Sequence, residues 1–404
     1  MAMLATAGSI SWIPARIPRK ATASVGFLAG DFSSEGAAAA EDVDIAINVA
    51  RTRWTVYRLF QPRAERMDMC TNFKVKPADD GSIVVGRSME FPLGIPTALG
   101  VLPSNHQGTS SAPAGKQGKT WTATHGVVGM SAFGNPQHLS DGMNDAGVSA
   151  HFLYMPGGFC TYADFVGDGN DISELDLIAY LLGTCSSIDE VKASMQGLRV
   201  WGYDPGMGFA PPCHVLVHDT QASLAIELHT DGVHLVDNPT SVGTNAPYLD
   251  WHLTNLANYV GLSAESPDPV KVGELTVTSL GQGQGLMGLP GDYTPPGRFI
   301  RAATQVTLSD KPKDAHEAEL IALHILNTLD ITPGIIREPA PKGGTNDEVT
   351  VWDSISNLTG KRYSFRTVTD PTVYAVDLTK VDFTAPARTQ DISWSGEFVE
   401  FDTK

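Results

Sequence analysis

The sequence is poor in cysteine, poor in positive charge and without any long apolar run, and each shortage removes a class of protein. Cysteine occupies only positions 70, 160, 185 and 213 of 404, with no CxxC pair. Zinc ribbons and dense disulfide frameworks need closer spacings, so separate thiols in a reducing compartment are expected, although the count alone still permits two bridges. Lys and Arg total 28 against 45 Asp and Glu, a net charge of −17. A nucleic-acid partner is not expected, because phosphate binding needs a basic face. The acidity is read as a solubility feature that says little about substrate. No stretch approaches the ~20 apolar residues of a membrane-spanning helix. Arg16, Arg19 and Lys20 interrupt the first apolar stretch where the core of an export signal would continue. A cytoplasmic protein is therefore expected. No internal repeat of 20–50 residues appears.

What is there divides at Cys70. Residues 1–69 open Ala/Ser/Gly-rich and turn arginine-dotted between Arg51 and Arg66, with a short helix predicted over 43–53. This stretch is expected to be weakly structured: a pro-segment, or sequence upstream of the true start, since Met67 and Met69 directly precede Cys70. In either case it is expected to be absent from the mature enzyme, leaving 70–404 as one domain.

From Cys70 onward the texture is that of a compact domain. Strands are predicted over 71–75 and 82–87, joined across Asp79-Asp80-Gly81. More follow over 121–133 and 147–154, with Asp141-Gly142-Met143-Asn144 read as turn chemistry between them. Helices are predicted over 173–182, capped by Ser173, and from Ser187, whose Ser-Ile-Asp-Glu start fits a capping box. Strands return over 212–217, 223–229 and 233–236; helices over 248–260, 298–308 and 315–329; strands near 348–355, 361–368 and 372–378. Runs of strands alternating with runs of helices imply an α+β fold of antiparallel sheets covered by helices.

Several patterns are chemically suggestive without carrying a function. His214 and His218 share one face of a strand-like run, but a zinc site needs a third ligand that does not present itself. Gly283-Gln284-Gly285-Leu286-Met287-Gly288 matches GxGxxG, yet Leu289-Pro290-Gly291 and Pro295-Pro296 follow where a dinucleotide site needs a helix to open at the glycines. Those glycines are read as a tight, close-packed loop. A papain-like Cys/His pair lacks its local signature at every cysteine.

Cys70 stands apart. If Met69 is removed, this residue carries both a thiol and an α-amine. A thiol of ordinary pKa ~8.5 is only ~3% thiolate at neutral pH, whereas an α-amine near 7.7–8.0 suits a base that must later return a proton. One residue then supplies nucleophile and base.

The blocks around it carry a resemblance. Met69-Cys70-Thr71-Asn72-Phe73 followed by Gly86-Arg87-Ser88-Met89-Glu90 resembles the start of the choloylglycine hydrolase and penicillin V acylase family. Further blocks are similar at Asp141-Gly142-Met143-Asn144-Asp145-Ala146-Gly147-Val148, at Gly243-Thr244-Asn245-Ala246-Pro247, and from Leu280 through Arg301. The resemblance spans 70–404 and implies an N-terminal-nucleophile hydrolase with a four-layer αββα sandwich of two antiparallel sheets. It implies hydrolysis of linear, non-peptide amides through a thioester, with a small N-acyl amide as substrate, no metal or organic cofactor, and a homo-oligomer, by resemblance a tetramer.

The resemblance also implies roles. Cys70 is the nucleophile. Arg87 lies beside the thiol, where a fixed cation favours the thiolate. Glu90 stands where the family commonly has an aspartate orienting the α-amine, a departure that adds a methylene. Asn245 and the backbone N–H of Tyr154 are the expected oxyanion donors, and Arg298 steadies the polar network. Tyr154 falls at a position often Tyr in penicillin acylases and Asn in bile salt hydrolases, so penicillin V acylase-like activity is expected first. The alternatives are a bile salt hydrolase, an acyl-homoserine lactone acylase, or a non-catalytic member that binds amphipathic ligands with Cys70 unprocessed.

Overall fold

The computed structural model describes residues 69–92, 95–156, 158–339 and 344–397. The expected extension, apart from Met69, and the helix predicted over 43–53 lie outside the described residues.

Two antiparallel sheets dominate. In chain order their strands are β1 (Met69–Lys74), β2 (Val84–Pro92), β3 (Thr97–Leu102), β4 (Val127–Ala132), β5 (Leu139–Asn144), β6 (Ser149–Tyr154), β7 (Cys213–His218), β8 (Ser223–His229), β9 (Gly232–Asp237), β10 (Val242–Gly243), β11 (Ile336–Pro339), β12 (Thr345–Asn357), β13 (Arg362–Thr367), β14 (Asp370–Asp377) and β15 (Arg388–Gln390). The first sheet runs β10-β1-β2-β12-β13-β14, with β11 also pairing β12; the second runs β9-β8-β7-β6-β5-β4-β3-β15. The helices are α1 (Glu174–Thr184), α2 (Ile188–Ser194), α3 (Leu249–Asn255), α4 (Pro295–Leu308) and α5 (Ala315–Asn327).

Helices α4 and α5 lie on the outer face of the first sheet, against β1, β2 and β12, and α1 lies on the second sheet at β5 and β6. This is the expected αββα sandwich. Three apolar cores follow the layers: one joins α1 and α2 to the second sheet, one joins α4 and α5 to the first, and one fills the space between sheets with Val85, Val128, Met130, Met143 and Trp352. Central strands such as β4 and β6 are buried at every position because both of their faces are covered. No described helix is long and apolar enough to cross a membrane.

Helix starts follow the sequence signals. The Ser173 hydroxyl accepts from the Leu175 amide, and Ser187 accepts from Glu190, while the Glu190 carboxylate reaches back to Ser186 rather than to Ser187 itself. Two expectations are corrected. Asp141–Asn144 is not a turn: it forms the end of β5, and the chain reverses at 145–147. A Cβ at Gly129 would come within 2.0 Å of the Asp141 carbonyl, so β4 and β5 approach closely through glycine, and the Asn144 side-chain oxygen accepts from Gly147 and Val148 to close the turn. Helix α4 also begins three residues before its predicted start, at Pro295, because proline in the first turn gives up only an amide that has no intrahelical partner, and Thr294 caps it. The GxGxxG segment is the packed loop expected of it. Gly283 has φ 81°, and a Cβ at Gly285 would meet the Glu265 carbonyl at 2.0 Å.

Candidate active site

Strand alternation sets the site. In the β1–β2 ladder, Cys70 pairs with Met89 and Asn72 with Arg87, so these four side chains share the face turned towards the second sheet. Met69 pairs with Glu90 and Thr71 with Ser88, and these point towards α4. Across β2, strand β12 carries a bulge: Thr350 pairs with Glu90 and Trp352 with Met89, which leaves Val351 as the extra residue. Residues two apart on a regular strand share a face. The bulge sends Thr350 to the helix side and Trp352 to the thiol side.

On the thiol side, the Arg87 guanidinium is fully buried. It donates to the Phe152 carbonyl at 2.8 Å, pairs with Asp141 at 3.5 Å, stacks over Trp352 at 5.5 Å, and reaches the Cys70 sulfur at 3.8 Å. Asp141 is held in turn by the Tyr363 hydroxyl at 2.5 Å and the Ser354 hydroxyl at 2.6 Å. The Met89 sulfur lies 3.6 Å from the thiol. A pocket of ≈ 720 Å³, open solvent at its mouth included, rises from Cys70; Phe91, Phe133, Phe152, Tyr154 and Trp352 give it aromatic walls, and Ile95, Leu175, Met207 and Val351 add aliphatic surface.

On the helix side, Arg298 of α4 donates to the Cys70 carbonyl at 2.6 Å, the Thr71 hydroxyl at 2.5 Å and the Asn245 side-chain oxygen at 2.5 Å. Burial pulls its guanidinium below the ordinary arginine value, and Glu90 opposes that shift. Glu90 itself is fully buried, and loss of solvation raises its carboxyl to about 7, with Arg298 the largest counterweight. Its Oε1 accepts from Thr350 at 3.2 Å, and its Oε2 has no hydrogen-bond partner among protein atoms.

Asn245 follows β10 in a segment that contains the cis Ala246–Pro247 bond. Its Oδ1 accepts from the Cys70 amide at 2.9 Å, and its Nδ2 donates to the Tyr154 carbonyl at 2.7 Å. The residues expected to form an oxyanion hole are thus together, but one Asn245 N–H is spent on Tyr154 while Cys70 remains joined to Met69. Histidines brace this segment. His214 contacts the Thr244 carbonyl at 2.8 Å and His252 the Asn245 carbonyl at 3.0 Å; burial lowers both rings below the usual histidine value, His252 to about 4. His218 contacts Asn72 and, at 2.7 Å, Ser223. The His214/His218 pair therefore braces backbone and side chains across strands, in keeping with its reading as a structural pair.

The chain is similar to known proteins over most of its described length. Residues 70–392 match the linear amide C-N hydrolases, choloylglycine hydrolase family. The chain belongs to this family. A bile salt hydrolase/transferase of Clostridium perfringens is 30% identical over 318 residues, covering 77% of this chain and 93% of that protein. Another from Lactiplantibacillus plantarum is 32% identical over 241 residues, covering 59% and 72%. A penicillin V acylase of Pectobacterium atrosepticum is 23% identical over 335 residues, covering 78% and 82%. Among solved structures, a mutant of the conjugated bile acid hydrolase of C. perfringens superposes with TM-score 0.72 at 25% identity, covering 82% of this chain and all of that one. The penicillin V acylase of Agrobacterium tumefaciens shares the fold, with TM-score 0.64 at 22% identity, covering 80% and 91%. The protein is thus an amidohydrolase of the choloylglycine hydrolase family, acting on linear amides.

All six residues singled out from the sequence, Cys70, Arg87, Glu90, Tyr154, Asn245 and Arg298, belong to this one constellation. Sequence reasoning missed Met89, Asp141 and Trp352. Met89 was discoverable, since strand alternation from Arg87 puts it on the same face. Asp141 lies inside a family-like block, but its Asp-Gly pair reads as turn chemistry. Nothing local marks Trp352, because its place depends on a bulge in a strand paired with β2 from some 260 residues away.

Proposed function

We propose that the mature enzyme begins at Cys70 and hydrolyses conjugated bile acids, amides of a bulky apolar acyl group with a small polar amine. The observation that carries this reading is the Cys70 thiol at the base of an aromatic pocket, 3.8 Å from a buried guanidinium, in a chain similar over long spans to bile salt hydrolases. The family match starting at residue 70 supports the mature start.

In this proposal the Cys70 α-amine takes the thiol proton and the sulfur attacks the amide carbon. The oxyanion is met by an Asn245 N–H and the Tyr154 amide. The protonated amine then donates to the leaving nitrogen, and a thioester remains. Water, activated by the same amine, releases the acid. Arg87 holds negative charge at sulfur, Glu90 orients the ammonium across the β1–β2 ladder, and Arg298 fixes Asn245 and the Cys70 carbonyl. No step calls on a metal or organic cofactor.

A second reading, penicillin V acylase-like hydrolysis, is favoured by one observation: the buried Tyr154 forms part of the pocket wall. Side-by-side turnover of glycocholate, penicillin V and a long-chain acyl-homoserine lactone decides. Glycocholate is expected to be fastest; faster penicillin V turnover gives the second reading precedence, and turnover of none of the three removes both.

The proposal extends to a homo-oligomer. The short hairpin of Val270–Val272 and Leu275–Val277 exposes Val270, Val272, Leu275 and Val277, with fully exposed Leu280 beside it. An apolar hairpin of this kind suits burial against a second copy. Light scattering is expected to give a multiple of the chain mass, and replacing Val272 and Leu275 with Ser is expected to shift it towards the monomer.

A further inference from the structure

The hairpin joining β8 to β9 reads His229-Thr230-Asp231-Gly232-Val233-His234. It lies at the edge of the second sheet, where no described strand pairs with β9 beyond β8. In its register Glu227 pairs with His234 and His229 with Gly232, so Glu227, His229 and His234 project on one face and Asp231 occupies the turn above them. The ligand atoms of His229, Asp231 and His234 all lie within 4.8 Å of one another, and this is the one such cluster among the described residues.

We propose that His229, Asp231 and His234 bind a divalent transition-metal ion of the zinc type, in a site separate from the nucleophile. Two imidazoles and a carboxylate select zinc, nickel or copper over magnesium or calcium, which prefer all-oxygen sites. Part of the geometry is in place. The His234 ring hydrogen-bonds Asp231 at 2.8 Å, and this contact need open only to the ~3.4 Å ligand–ligand edge that bonds of ~2.0–2.1 Å imply for a tetrahedral ion. The two imidazoles stack at 3.9 Å with planes 8° apart, so His234 must turn for both rings to aim at one point. That side chain is 41% exposed and can do so at little cost.

The surroundings support His229 as metal ligands commonly are supported. Buried Glu227 contacts its Nε2 at 3.1 Å, the carboxylate–histidine arrangement that fixes a ring and raises its basicity. Tyr248 stacks on its other side at 3.7 Å. The Glu227 Oε1 also accepts the Leu249 amide at 2.7 Å, at the start of α3. Glu227 thus links the ligand His229 to the segment just beyond Asn245.

The test is calorimetric titration of ZnCl2 into the metal-stripped full chain, with melting temperature as a second readout. One ion per chain and a raised melting temperature are expected. Affinity should fall ~10–100-fold in Glu227→Gln and further in His229→Gln and His234→Gln. Asp231→Asn, at the exposed turn, serves if a histidine variant fails to fold. Zinc uptake by thiols elsewhere would be insensitive to these changes. Absence of uptake, or uptake unaltered in the folded hairpin variants, overturns the proposal.

Discussion

The two faces of strand β2 are a residue apart and chemically opposed. On the thiol face, the Arg87 cation is braced where it stands by Asp141, the Phe152 carbonyl and the Trp352 ring, although its Nε and Nη1 make no hydrogen bond, and the space beyond is apolar. On the helix face, carboxylates are buried with too few partners. Glu90 has one oxygen without a partner among protein atoms, and Glu348, further along β12, has none for either oxygen. Burial lifts the Glu348 carboxyl to about 7, and Glu338 and Glu90 push the same way. One face offers a fixed charge and an apolar surface; the other offers groups that change charge near neutrality. A single strand pair can thus set up sulfur and nitrogen differently.

The contrast can be broken in graded steps. Asn245→Ala removes the proposed oxyanion donor and is expected to cost about 10²–10³ in kcat with a smaller change in KM; steady-state kinetics on glycocholate checks this. Glu348→Gln acts on stability. The folded-state value of about 7 lies above the ordinary 4.5, so the neutral acid is favoured. Its contribution is fully present below about pH 4.5 and is lost as pH rises through about 7. The glutamine variant should match the parent at pH 4.5 and exceed it at pH 8 by up to about 3 kcal/mol in denaturant melts.

Glu90→Gln tests the amine. An ionised carboxylate beside an α-ammonium favours the charged amine, so its removal should move the acid limb of kcat/KM to lower pH. The plateau rate should fall up to about a hundredfold, since the base is no longer held in place. An unchanged pH profile would assign Glu90 a packing role alone. Smallest is Tyr154→Asn, expected to move the penicillin V to glycocholate rate ratio about tenfold towards glycocholate, the scale of a pocket contact worth ~1–3 kcal/mol. An unmoved ratio detaches Tyr154 from substrate choice.

The same comparison shows what the sequence makes legible. Cys70, Arg87, Asn245 and Arg298 are separated by up to 228 residues, yet each sits in a block whose spacing carries a family resemblance, and the fold brings these groups within contact of one another. The departure at Glu90 is legible too, though its consequence is not: only the ladder shows it facing α4 with Arg298 instead of sharing the thiol's face. Trp352 escapes notice because the bulge at Val351 reverses the alternation that sequence would supply. Asp141 escapes because Asp-Gly followed by Asn has turn chemistry, and a close approach of two glycine-bearing strands overrides it. The His229–His234 hairpin shows a third kind of blindness: two histidines five apart have no strand or helix period, and only the reversal at Thr230–Asp231 brings them face to face.

In the proposed mechanism Cys70 supplies both the sulfur and a terminal nitrogen. Intact-mass analysis of the fraction that hydrolyses amides tests this most directly. A polypeptide beginning at Cys70, with activity abolished in Cys70→Ala, is the predicted result. Full activity in protein that still carries Met69 and the residues before it would contradict the claim.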